Sequence, residues 1–145
     1  MLKRIFTLIV LVAVLLTGCG ENIGSPPLIY LVSDGGLVNG FQSSYCWDTG
    51  KDGTLCMDTV APHFESSTPL DASAPIRFQL DTPLPEEVTL SISKEVLGES
   101  IFSETMPASE FVDWSPAVAP GKYILYVHGK WKQGEVTYWF SVLLE

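Results

Sequence analysis

Residues 28–145 predict an all-β fold, a sandwich or barrel of short antiparallel strands, on three observations. Apolar and polar residues alternate with a period of two in one stretch after another, as in strands with one buried and one open face. Gly-rich and Pro-rich turns separate these stretches at short intervals. Pro69, Pro75, Pro83, Pro85, Pro107, Pro116 and Pro120 leave no room for a long amphipathic helix.

The elements follow in chain order. Leu28 to Ser33 is a candidate strand that ends at the turn Asp34-Gly35-Gly36. From Tyr45 to Cys56, Asp-Gly and Gly-Lys turn signals lie between two short apolar stretches, so a hairpin is expected with Cys46 and Cys56 facing one another. Ile76-Arg77-Phe78-Gln79-Leu80 alternates without a break, and Val88 to Ser93 directs Val88, Leu90 and Ile92 to one face. Ile101 to Thr105 is a further short strand. Two long stretches follow across the turn Lys132-Gln133-Gly134. In the first, Tyr123, Leu125, Val127 and Trp131 alternate with Ile124, Tyr126, His128 and Lys130. In the second, Val136, Tyr138, Phe140 and Val142 alternate with Thr137, Trp139, Ser141 and Leu143.

Ala119-Pro120-Gly121-Lys122-Tyr123 resembles the Pro-Gly-x-Tyr lead-in to a late strand of immunoglobulin-like domains. The resemblance implies an immunoglobulin-like antiparallel β-sandwich in which Tyr123 ties its loop back onto the sheet. Taken with Ser44-Tyr45-Cys46-Trp47, Trp131-Lys132-Gln133-Gly134 and Tyr138-Trp139-Phe140, the pattern is similar to small uncharacterised immunoglobulin-like lipoproteins of Gram-positive bacilli. It implies a fold and a location, and no activity.

The N-terminus carries the strongest localisation signal. Lys3-Arg4 precedes an apolar run from Ile5 to Leu16 broken only by Thr7, which reads as a signal peptide. A membrane-spanning helix needs about 20 apolar residues, more than this run supplies. Leu16-Thr17-Gly18-Cys19 resembles the lipobox of bacterial lipoproteins. That resemblance implies cleavage of residues 1–18 and a diacylglyceryl group on the Cys19 sulfur. Several acyl chains on one cysteine give a durable anchor, because each buried methylene contributes about 0.8 kcal/mol. Residues 19–27, rich in Gly, Ser and Pro, are expected to be a lipidated tether to a single domain at 28–145. Gly20, rather than Asp, follows the cysteine, so the best-known inner-membrane retention signal is missing. The expected location is the extracytoplasmic face of the cell membrane.

Charge narrows the partners. The chain has 17 acidic and 8 basic residues, and cleavage removes Lys3 and Arg4, leaving a formal charge of −11. Nucleic acid is excluded, since its binders cluster Lys and Arg to displace counterions, and Lys130 and Lys132 form the one close basic pair of the mature chain. The same charge repels an anionic bilayer surface, so the lipid on Cys19 must supply retention.

With Cys19 lipidated, Cys46 and Cys56 remain as a pair in a compartment where disulfides persist. A redox or metal-bearing pair is the rival reading. Nine intervening residues fit no C-x-x-C motif, and no nearby His completes a zinc set.

Catalytic constellations are scarce. His63 and His128 are the two histidines, and neither accompanies a Gly-x-Ser-x-Gly elbow or a His-Glu-x-x-His helix. Glu86 and Glu87 are adjacent in an extended segment and point opposite ways. Asp48, Asp52 and Asp58 surround the cysteine loop with the wrong spacing for an EF-hand. No cofactor or metal is expected.

One binding hypothesis comes from the last hairpin. If Tyr138 and Phe140 face the core, Trp139 and Tyr126 stand on the opposite face as candidate ligand-binding residues, unless a second layer covers them. The expectation is a noncatalytic, membrane-anchored binding or structural module of the cell envelope, with an envelope protein or wall polymer as partner. The alternative is an accessory or inhibitory subunit of a membrane-bound envelope protein. A small enzyme would depend on His63, His128, Glu86 or Asp113.

Overall fold

The structure, a computed structural model, describes residues 24–145. The expected signal peptide, Cys19 and the first part of the tether lie outside the described residues. Twelve strands follow in chain order: β1 (Ile29–Ser33), β2 (Gly36–Asn39), β3 (Phe41–Gln42), β4 (Tyr45–Asp48), β5 (Thr54–Met57), β6 (Thr68–Leu70), β7 (Ile76–Leu80), β8 (Glu87–Ser93), β9 (Phe102–Met106), β10 (Phe111–Trp114), β11 (Gly121–Trp131) and β12 (Gly134–Leu144). A single 3-10 turn, Gly50–Asp52, links β4 to β5.

The strands form two sheets, and the all-β sandwich expected from the alternation is what the chain adopts. The smaller sheet runs β10-β7-β1-β2 with antiparallel neighbours throughout. The larger runs β5-β4-β12-β11-β8-β9, and the short β3 and β6 also pair with β12. β6 lies parallel to β12, and the other ladders are antiparallel.

Alternation decides which side chains meet between the sheets. Ile29, Leu31, Phe78, Leu80 and Val112 face Leu90, Ile92, Leu125, Val127, Tyr138 and Phe140, and all are buried. Phe78 meets Phe140 across the layer with ring centroids 5.7 Å apart. Each such side chain stabilises the fold by roughly 1.5–3 kcal/mol when fully buried.

The hairpin of β11 and β12 pairs Trp131 with Gly134, so Lys132 and Gln133 are its turn. Two glycines make this hairpin packable. A Cβ on Gly129 would stand 2.4 Å from the Trp131 ring, and one on Gly134 would stand 2.4 Å from the Cys46 carbonyl oxygen. The space left at Gly129 admits the Trp131 indole, which meets Trp47 edge-on at 5.5 Å and donates from Nε1 to the Pro83 carbonyl at 2.8 Å. The Tyr123 hydroxyl donates to the Ala119 carbonyl at 2.7 Å, the loop tie implied by Pro120-Gly121-Lys122-Tyr123. The disulfide departs from the immunoglobulin pattern, because it stays within one hairpin and does not join the sheets.

The expected tether boundary moves. Gly24 and Ser25 are exposed, but Pro26 and Pro27 are buried, and the buried Tyr138 hydroxyl donates to the Pro27 carbonyl. Residues 26 and 27 therefore belong to the folded body. A Pro-Pro pair reads as linker from composition alone, yet its two rings are apolar surface that a sandwich edge can bury.

Candidate functional site

The aromatic pair on the last hairpin assembles as the register requires. Tyr126 and Trp139 are direct partners on the outer face of the larger sheet, with Tyr138 and Phe140 buried on the inner face. Their rings meet edge-on, with centroids 5.5 Å apart and planes 67° apart. β3 brings Phe41 to the other side of Trp139 at 6.3 Å.

This cluster is largely covered. Trp139 is 9% exposed. The Tyr126 hydroxyl donates to the Glu95 carbonyl at 3.1 Å and accepts from the Leu97 N–H at 3.0 Å, and Ser93 Oγ lies 3.2 Å away. Tyr126 thus pins the loop between β8 and β9, in which Leu97 adopts a left-handed φ of 60°. On the same face, the Ser67 and Ser141 hydroxyls are 2.8 Å apart, where the chain enters β6 alongside β12. β3 and the chain entering β6 flank this face as neighbours of β12, and the β8–β9 loop lies against Tyr126. The pair therefore works as packing and loop anchorage.

Cys46 and Cys56 form a disulfide as directly opposed cross-strand residues, with Cα atoms 4.0 Å apart. Both are exposed, as is every residue of β5, an edge strand whose ladder is with β4. The pair braces an edge that has no buried side chain to hold it.

The remaining candidates are dispersed. His63 is exposed. His128 has Nδ1 3.0 Å from Thr137 Oγ1 and Nε2 3.6 Å from Glu135. Glu86 and Glu87 are exposed, with Glu87 3.9 Å from Lys130 Nζ. Asp48 accepts the Gly50 N–H at 2.8 Å and so closes the β4–β5 turn. Asp113 accepts two hydrogen bonds from Arg77, from Nε at 2.7 Å and Nη2 at 2.9 Å. Those bonds, more than the guanidinium charge, hold the Asp113 carboxyl below the usual aspartate value. Among the described residues, no three His, Cys, Asp or Glu side chains are grouped to hold a metal ion.

Two surface features escaped the sequence reading. An open cleft of about 450 Å³ is lined by Ser33, Asp34, Pro69, Leu70, Asp71 and Glu145. The other is the outer face of the smaller sheet, where Phe111, Gln79, Tyr30 and Asn39 fall into one row. Its signal was the polar phase of the alternation in β1 and β7. Joining Phe111 and Asn39 to that phase needs β10 and β2, two four-residue strands.

Fold and surface together define an antiparallel β-sandwich braced by a cross-strand disulfide at one edge. No family model matches the chain, and no match emerges among curated proteins or among solved structures.

Proposed function

We propose that this chain is a membrane-anchored extracytoplasmic lipoprotein whose single domain acts as a noncatalytic binding or structural module of the cell envelope. The observation that carries the reading is Leu16-Thr17-Gly18-Cys19 placed at the end of a basic-then-apolar leader. A Cys46–Cys56 disulfide agrees with an oxidising compartment. The dispersal of His63, His128, Glu86 and Asp113 over separate surfaces favours binding over catalysis, because a nucleophile and its base must share hydrogen-bond reach. Partners are then an envelope protein or a wall polymer, met close to the bilayer.

The test is lipid labelling and fractionation of the full chain against Cys19→Ser, followed by photo-crosslinking on intact cells from probes around the domain. The wild-type chain should carry the lipid label and sediment with membranes, and Cys19→Ser should lose both. Crosslinking should capture one discrete partner from one face. A Cys19→Ser chain that keeps label and membrane retention overturns the anchor. Recovery of a stoichiometric complex with one membrane protein favours the accessory-subunit alternative.

A further inference from the structure

The outer face of the smaller sheet carries an aromatic and amide row that is part of neither the core nor the covered cluster. Phe111 on β10, Gln79 on β7, Tyr30 on β1 and Asn39 on β2 are successive partners across all four strands. They project away from the core, which their chain neighbours Val112, Phe78 and Leu31 fill. Phe111 is 48% exposed, Asn39 is exposed, and Tyr30 and Gln79 are half-buried. With adjacent strands 4.7–4.9 Å apart, the strands that carry Phe111 and Tyr30 run roughly 9.5 Å apart with the Gln79 strand between them. The Tyr30 hydroxyl donates to Asp81 Oδ2 at 3.3 Å, which fixes the ring. Among the described residues, neither the Gln79 nor the Asn39 side chain has a hydrogen-bond partner.

We infer that this row binds an uncharged glycan chain, whose pyranose rings lie on Phe111 and Tyr30 while Gln79 and Asn39 hydrogen-bond the ring hydroxyls. The inference rests on the binding-module reading and names its ligand class. Aromatic faces take up the C–H faces of sugars, and an amide offers both donors and an acceptor to hydroxyls that are themselves both. Charge selects the occupant. In the adjacent row the Arg77 guanidinium is neutralised by its two-bond pair with Asp113, and Asp81 and the exposed Glu110, next to Phe111, are acidic groups at the rim. A net charge of −9 over the chain opposes an anionic polymer and leaves a neutral one unhindered. Direction argues against a peptide, which adds along an edge strand through its backbone, whereas this row runs across four strands.

The test is calorimetric titration of the full chain in lipid nanodiscs with chitohexaose, and with a galacturonic acid hexamer as the anionic comparison. Chitohexaose should bind and the anionic hexamer should not. Phe111→Ala should weaken binding by about tenfold, the weight of one lost aromatic contact and its buried area. Gln79→Ala should also weaken it, by several fold. Phe111 is half exposed, so its variant should melt with the wild type, which a thermal scan verifies. Absence of chitohexaose binding at millimolar concentration, or equal binding by wild type and both variants, overturns the inference. So does a concentration-dependent dimer abolished by Phe111→Ala, which assigns the face to a second copy. A chain that fails here yet still captures one partner on cells loses its glycan face and keeps the binding-module reading.

Discussion

Replacing Tyr138 by Phe removes one oxygen from the inside of the sandwich and tests how the chain is fastened where it joins the domain. The Tyr138 hydroxyl donates to the Pro27 carbonyl and accepts from Gln42 Nε2 at 3.1 Å. Burial raises its pKa far above the ordinary tyrosine value, so it remains a donor at any physiological pH. Phenylalanine keeps the ring and its packing but leaves the Pro27 carbonyl without its partner. Gln42 is half-buried and can turn to water, so the loss falls on Pro27. A buried acceptor stripped of its donor costs about 1–3 kcal/mol. At about 4 °C per kcal/mol for a domain of this size, Tm should fall by roughly 4–12 °C. Thermal unfolding followed by circular dichroism reads the shift, and limited proteolysis reads whether residues 24–28 loosen first. A variant with unchanged Tm and unchanged N-terminal protection would refute the reasoning, and Pro26 and Pro27 would then be held by packing alone.

The double variant Cys46→Ser/Cys56→Ser has a ceiling of about 2.8 kcal/mol from the chain entropy of an 11-residue loop. Because every residue of β5 is exposed, that strand can fray by itself while β4 stays packed, and global unfolding should lose less than that ceiling. Hydrogen exchange should show β5 amides losing protection while β11 and β12 keep theirs; uniform acceleration across both sheets would contradict this. Asp113 has a folded pKa below its unfolded value of about 3.9, so its contribution is present above that value and is lost as pH falls through the lower folded one. Asp113→Asn should therefore show a flatter loss of stability on acidification below about pH 4 than wild type, measured by urea unfolding across that range.

The residues that fill the core were legible because their period of two is long enough to read. Ile76 to Leu80 was found with its observed bounds, and the two long strands of the last hairpin were found within two residues at each end. The missed strands are short, and their pairing is set by the sheet they join. β10 fits four residues between Pro107 and Pro116, and β6 contains Pro69, which lacks a ladder donor and argues against a strand until β12 is seen beside it. The candidate site was half legible. Register brought Trp139 and Tyr126 together as expected, but no local pattern announces that Phe41 will pair beside Trp139 or that the β8–β9 loop will lie against Tyr126. Residues distant in sequence make those contacts, Tyr126 to Glu95 and Phe41 to Trp139 among them.

The burial of Pro26 and Pro27 also limits how the body can be oriented. Gly24 shares a cleft with Thr49 and Asp52 of the β4–β5 turn and Leu55 of β5, and the Asp48 N–H donates to the Gln133 carbonyl at the tip of the last hairpin. The chain therefore comes in at the end that holds both hairpin tips. On an anchor at Cys19, the six residues from Gly20 to Ser25 reach at most about 20–22 Å. The eleven residues of β11 span about 36 Å. A leash shorter than the body it holds lets the sandwich tilt or lie on its side, but never turn over. On such an anchor the loops at the opposite end, among them Lys94 to Ile101, would face away from the bilayer in every upright pose, and the proposed lipid would by itself give the domain one end toward the membrane and one away.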